Sequence, residues 1–139
     1  MEKTQFTSVQ LSKGVMEIYD FGSIKLHAFK TNDLISDECF LVEKDGRCFM
    51  IESPCFLDNI KELEKYISDT GLKYEGAVIA YHGAGASFMK GSKVYSTKML
   101  MNTITMAEGQ GLFQTSLEHL GKLSINQSTR PQILSRVTA

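Results

Sequence analysis

The stretch Cys39-Phe40-Leu41-Val42-Glu43-Lys44-Asp45-Gly46-Arg47-Cys48-Phe49-Met50-Ile51, read together with residues 56–80 that follow it, decides the fold. Two short apolar runs, 39–43 and 48–51, flank Lys44-Asp45-Gly46. Asp-Gly between hydrophobic runs is among the strongest local signals for a tight antiparallel hairpin. The period then changes. Phe56, Ile60, Leu63 and Ile67 recur at spacings of three and four, while Asp58, Lys61, Glu62, Glu64 and Lys65 occupy the other positions, which is the pattern of an amphipathic helix. The helix is expected over 59–68, with Asp58 or Asn59 as its amino-terminal cap and Gly71 as its left-handed end. Ala77-Val78-Ile79-Ala80 is a wholly apolar run of the kind that forms a strand covered on both faces. Strand, helix and strand make a β-α-β unit. Its crossover is expected to be right-handed, with the strand at Val78 parallel to the one near Phe49.

Working outward, residues 15–19 and 24–29 form a second predicted hairpin around Asp20-Phe21-Gly22-Ser23. On the carboxyl side come the small-residue loop His82-Gly83-Ala84-Gly85-Ala86-Ser87 and a short strand at 93–95. Two segments of helical spacing follow, 99–106 and 112–120. Residues after Glu118 include Lys122, Arg130 and Arg136 but no acidic side chain, so residues 1–121 are read as a single α/β domain and 122–139 as a polar tail.

Composition narrows the function. With 139 residues, 42% hydrophobic and 22% charged, the chain suits one globular domain with a buried core. Its 15 basic and 16 acidic residues leave a net charge of −1, so no overall field favours nucleic acid or an anionic membrane, and neither is expected as a partner. No apolar run approaches a membrane span, the first residues lack the layout of a signal peptide, and a cytoplasmic location is expected. Cys39, Cys48 and Cys55 are odd in number and lack C-x-x-C spacing, which fits reduced thiols better than disulfides or a zinc module.

The chemical candidates lie around the carboxyl ends of the central strands. Gly83 and Gly85 form a G-x-G after a strand, but Phe88 stands at the third glycine position and no acidic ribose anchor follows at the required distance. No Gly-Lys-Ser/Thr exists for a phosphate loop. His27, His82 and His119 are scattered; His82 with Glu52 and Cys55 would be an acceptable zinc set chemically, yet no spacing requires it. A Cys55–His82 nucleophile pair is equally conceivable, since both residues fall at carboxyl strand ends. Against these stand the structural readings: a satisfied histidine, buried cysteines and a tight turn.

Residues 24–97 resemble the amino-terminal half of a metallo-β-lactamase-fold protein. The opening strands, the acidic residue after strand 48–51, the helix, the strand 77–80 and the loop come in that family's order. The resemblance implies an α/β (α+β) class, half of an αββα sandwich, with a mixed sheet carrying helices on one face. It also implies where a metal site would stand. The family's loop reads His-x-His-x-Asp-His, which sets Tyr81, Gly83, Gly85 and Ala86 on the four functional positions. Glu52 falls where the family has a structural Asp at a strand end. Glycine and alanine side chains offer no donor atoms, so the two-metal hydrolytic site is lost, and no zinc or iron cofactor is expected.

The expectation is therefore a non-catalytic, metal-free homologue that acts in binding or assembly, with a divergent hydrolase using Tyr81, His82, Cys55 and Glu52 as the enzyme alternative, and an inactive remnant as a third. A small-molecule ligand is expected, if anywhere, in the cleft of Tyr81, His82, the loop Gly83, Gly85, Ala86 and Ser87, and the strand end Glu52 to Cys55. A homodimer is expected too. Leu26, Phe29, Phe40, Val42, Phe49 and Ile51 cannot all reach one helix, because alternate residues of a strand point to opposite faces.

Overall fold

The computed structural model describes residues 5–80, 89, 92–100, 102 and 132–133. Eight strands lie side by side in sequence order: β1 Phe6–Leu11, β2 Gly14–Asp20, β3 Lys25–Thr31, β4 Glu38–Lys44, β5 Arg47–Ile51, β6 Lys73–Ile79, β7 Lys93–Ser96 and β8 Gln132–Ile133. The first five pair antiparallel, and β5 to β8 pair parallel. One helix, α1 Leu57–Thr70, bridges β5 and β6. Lys98 begins a further helical turn after β7. This is the expected mixed sheet with its helical cover on one face.

The Asp45-Gly46 hairpin forms as read, with φ of +52° and +71° at those two residues, the conformation that a two-residue turn between twisted strands demands. The β-α-β unit also forms as read: Met50 pairs with Ala77 and Ile51 with Val78 in the parallel ladder. Gly71, with φ +70°, ends α1 and donates its N–H to the Ser68 carbonyl.

The amino-terminal cap is different from the expectation. Phe56 is the cap residue and makes no side-chain cap hydrogen bond. Asp58 lies inside the first turn, and buried Asn59 turns its amide to the Asp33 carboxylate at 2.5 Å. A long-range partner thus takes the side chain that local pattern assigned to capping. Two strands escaped the sequence reading. In β1 the side chains Phe6 to Gln10 are exposed, so no apolar alternation marks it, and it is held as an edge by β2. β8 falls within 122–139, the stretch read as tail, and pairs with β7. β6 starts at Lys73, earlier than Ala77, because Lys73 joins the ladder opposite Arg47. The expectations for the loop 81–88 and for the helical segments beyond residue 102 lie outside the described residues.

The core lies between the sheet and α1. Met16, Phe29, Leu41, Met50, Ala77, Ile79 and Val94 point to one face, where Ile60, Leu63 and Ile67 of α1 meet them. A polar tie crosses the same layer: His27 Nδ1 is 2.7 Å from the Tyr66 hydroxyl and Nε2 is 2.6 Å from Glu43 Oε2. Burial, then the Glu43 charge, pushes the Tyr66 hydroxyl up to about 12, so it stays protonated and able to donate. Glu62 on α1 accepts N–H bonds from Ser12 and Lys13 at 2.8 and 2.6 Å, tying the β1–β2 turn to the helix. Among the described residues, no helix is long and apolar enough to cross a membrane.

Candidate functional site

Alternation of strand direction puts the ends of β3, β5, β6 and β7 and the start of α1 at one edge of the sheet. Glu52, the first residue after β5, has φ +58°, a left-handed conformation that side-chain-bearing residues adopt only under constraint. Two hydrogen bonds provide it. The Glu52 N–H donates to the Val78 carbonyl at 2.9 Å, and Glu52 Oε1 accepts the Ala80 N–H at 2.7 Å. The carboxylate therefore clasps the end of β6 to the end of β5.

Ser53 and Pro54 are buried, and the chain then turns so that the Cys55 N–H donates to Asp37 Oδ2 at 2.8 Å. Asp37 is itself buried at the entry to β4. Burial first, and then the neighbouring Asp37 carboxylate, push the Cys55 thiol up to about 12. Cys48 is pushed to about 11, chiefly by burial, and Cys39 further still for the same reason. All three cysteines are free thiols, and a thiolate, the form that attacks or binds metal, is disfavoured at each.

Next to this strand end, a cleft of about 290 Å³ opens beside the first turn of α1, walled by Lys13, Asn32, Asp33, Leu34, Phe56 and Asn59. Burial alone would raise the Asp33 carboxyl, but hydrogen bonds from Asn59 and from the Ile35 and Ser36 N–H groups hold it below its ordinary value. Among the described residues, no three His, Cys, Asp or Glu side chains gather as a metal-binding group.

Of the residues singled out by sequence, Glu52 and Cys55 come to the same strand end. Tyr81, His82, Gly83, Gly85, Ala86 and Ser87 lie outside the described residues. Sequence reasoning missed Asp37 and Asp33. Their partners, Cys55 and Asn59, are 18 and 26 positions away, and no periodic signal carries such pairings.

No protein-family model matches the sequence, and no curated protein matches it. Solved structures do resemble it in fold. The DIM-1 metallo-β-lactamase superposes with a TM-score of 0.55 at 19% identity, covering 67% of this chain and 47% of that one. The same enzyme exposed to ceftazidime gives 0.51 at 16% identity, covering 72% and 50%. The chain thus spans about half the length of these enzymes.

Proposed function

Because the chain has a metallo-β-lactamase-like fold, we propose that it is a non-catalytic version of that framework, one that binds a partner and does not turn over a substrate. The observation that carries this reading is the employment of Glu52 and Cys55. The Glu52 carboxylate accepts the Ala80 N–H through Oε1, and the half-buried Cys55 thiol beside Asp37 keeps its proton. Both residues are engaged in holding the strand end together. The loop after Ala80 supports it as well, for Gly83, Gly85 and Ala86 offer no side-chain donor atoms. The zinc or iron that the fold implies thus does not fit these donors, and no hydrolytic step is derived through it.

Among the described residues the sheet keeps an outward face that carries half-buried apolar side chains, and this is the surface assigned to binding. The test is elemental analysis of protein purified without a metal-affinity tag, together with chelator melts and assays of thioester and phosphoester hydrolysis. The expected result is no stoichiometric transition metal, an unchanged melting temperature with chelator, and no turnover. A metal content near one zinc or iron per chain, with a melting temperature that falls on chelation, would overturn the reading.

A further inference from the structure

The register sorts the strands' side chains into two faces, and among the described residues only one of them is covered. On the face away from α1, cross-strand pairing aligns Ala28, Phe40, Ile51, Val78 and Tyr95 in one row. Leu26, Val42, Phe49 and Gly76 make the next row. Phe40, Val42, Phe49, Val78 and Tyr95 are only half-buried and Ile51 is 41% exposed. A contiguous apolar patch of this kind is uncommon on a soluble monomer.

β5, β6, β7 and β8 are parallel and step across the sheet in one direction. The described crossover between β5 and β6 carries α1 on the core face. Two described points agree. Met89, between β6 and β7, packs on the α1-side core and donates its N–H to Glu64 of α1 at 2.9 Å. Leu100, between β7 and β8, packs on that same core. Both residues therefore lie on the face that already has its helix.

Charge marks the ends of the open face. At the end where β4 begins, Glu17 and Glu38 flank Lys30, at 2.8 and 3.9 Å. At the opposite end stand Lys44, Arg47, Lys73 and Lys93, offset by Asp45 and by Glu75, which pairs with Arg47 at 2.9 Å. One end is acidic on balance and the other basic, with the apolar rows between them, the layout of an interface with a polar rim.

We propose that this face is a self-association surface whose occupant is a second copy of the chain, packed sheet on sheet about a two-fold axis that reverses the strand direction. This arrangement lays β4 over β4 and brings Glu38 of each copy above Lys44 of the other. The complementarity follows from the symmetry, since each copy contributes both ends. The inference rests on the binding reading above and specifies the partner.

Sedimentation equilibrium of the full chain over a concentration series tests it. The expected result is a monomer–dimer equilibrium in the micromolar range that weakens with added salt. Val42→Lys should weaken it by at least about tenfold. Glu38→Lys and Lys44→Glu should each weaken it, and the double variant Glu38→Lys/Lys44→Glu should restore it, a rescue that a merely structural role would not produce. Circular dichroism confirms that each variant is folded. A folded monomer at every concentration overturns the proposal, as does a dimer indifferent to Val42→Lys and to both charge reversals. The two readings fail separately. A monomer that holds no metal and hydrolyses nothing removes only self-association, whereas a dimer that hydrolyses a thioester removes only the non-catalytic assignment.

Discussion

Leu41 and Val42 are neighbours in β4, yet they belong to different surfaces. Leu41 is 1% exposed under α1, packed with Phe29, Met50 and Ile60 in the core cluster, while Val42 faces outward between Leu26 and Phe49 and is half-buried. Both are aliphatic. The difference is what covers them: one face meets α1, Met89 and Leu100, and the other meets nothing among the described residues. A strand with apolar side chains on both sides needs two covers, and the described fold supplies one. The covered face is therefore where stability resides.

That contrast can be broken most sharply with Leu41→Ala, which should cost about 2–5 kcal/mol, because a fully buried side chain leaves a cavity. Val42→Ala in dilute protein should cost under about 1 kcal/mol, since little enclosed packing is lost there. Urea unfolding of both variants at low concentration measures the pair, and equal costs would mean that the outward face is enclosed by its own chain.

Gly76→Ala ranks second. Gly76 has φ +151°, and a Cβ there would lie 2.5 Å from the Lys93 carbonyl oxygen and 3.3 Å from the Phe49 ring. The β6–β7 pair would have to spread, at a cost of about 1–3 kcal/mol, visible as a lower melting temperature. A variant as stable as the parent would show that the backbones yield at this point.

Glu52→Ala should cost about 1–2 kcal/mol by leaving the Ala80 N–H without its carboxylate acceptor. Glu52→Gln, which keeps an acceptor oxygen, should recover part of that loss. If Glu52→Ala is instead as stable as the parent, the clasp is not what holds the two strand ends together.

Cys55 gives a chemical test at the same edge. An ordinary thiol, with a pKa of about 8.5, is partly thiolate at pH 8, whereas Cys55, pushed up to about 12, stays protonated. Alkylation by iodoacetamide, followed by mass spectrometry, should be slower at native Cys55 than in the unfolded chain, and faster in Asp37→Asn than in the parent. Rates equal to those of the unfolded chain would restore Cys55 as a candidate nucleophile.

The smallest effect concerns acid. Hydrogen bonds hold the Asp33 carboxyl below its ordinary value in the folded state, so its contribution is complete above the unfolded value of about 3.9 and is lost as the pH falls through the folded one. Asp33→Asn should flatten the stability curve in that acid range and leave the slope near neutrality unchanged. An unchanged acid limb would assign the sensitivity to other carboxylates.

The features legible in the sequence were those written in local period or turn chemistry. Asp45-Gly46 marked the hairpin, the shift from alternation to a three-and-four spacing at Phe56 marked α1, and the apolar run 77–80 marked the parallel strand. β1 was not legible because Phe6 to Gln10 face solvent, so burial never shaped their pattern. The cap was misread because Asn59 satisfies Asp33 across the fold instead of its own helix. At the site, Glu52 could be placed at a strand end, but its clasp on Ala80 and the Asp37 bond to Cys55 depend on strands meeting in space. The two-face character of the sheet was legible in outline from the alternation of Leu26, Phe40, Val42 and Phe49. Which face α1 covers required the register and the positions of Met89 and Leu100.

The most direct test of the contrast between the faces is methyl NMR of the full chain with a soluble paramagnetic relaxation agent, recorded in dilute and concentrated samples. The account predicts that Leu41, Ile79 and Val94 are shielded in both. Val42 and Val78 should be strongly relaxed when dilute and shielded when concentrated. Shielding of Val42 and Val78 at every concentration, or their exposure at every concentration, would contradict it.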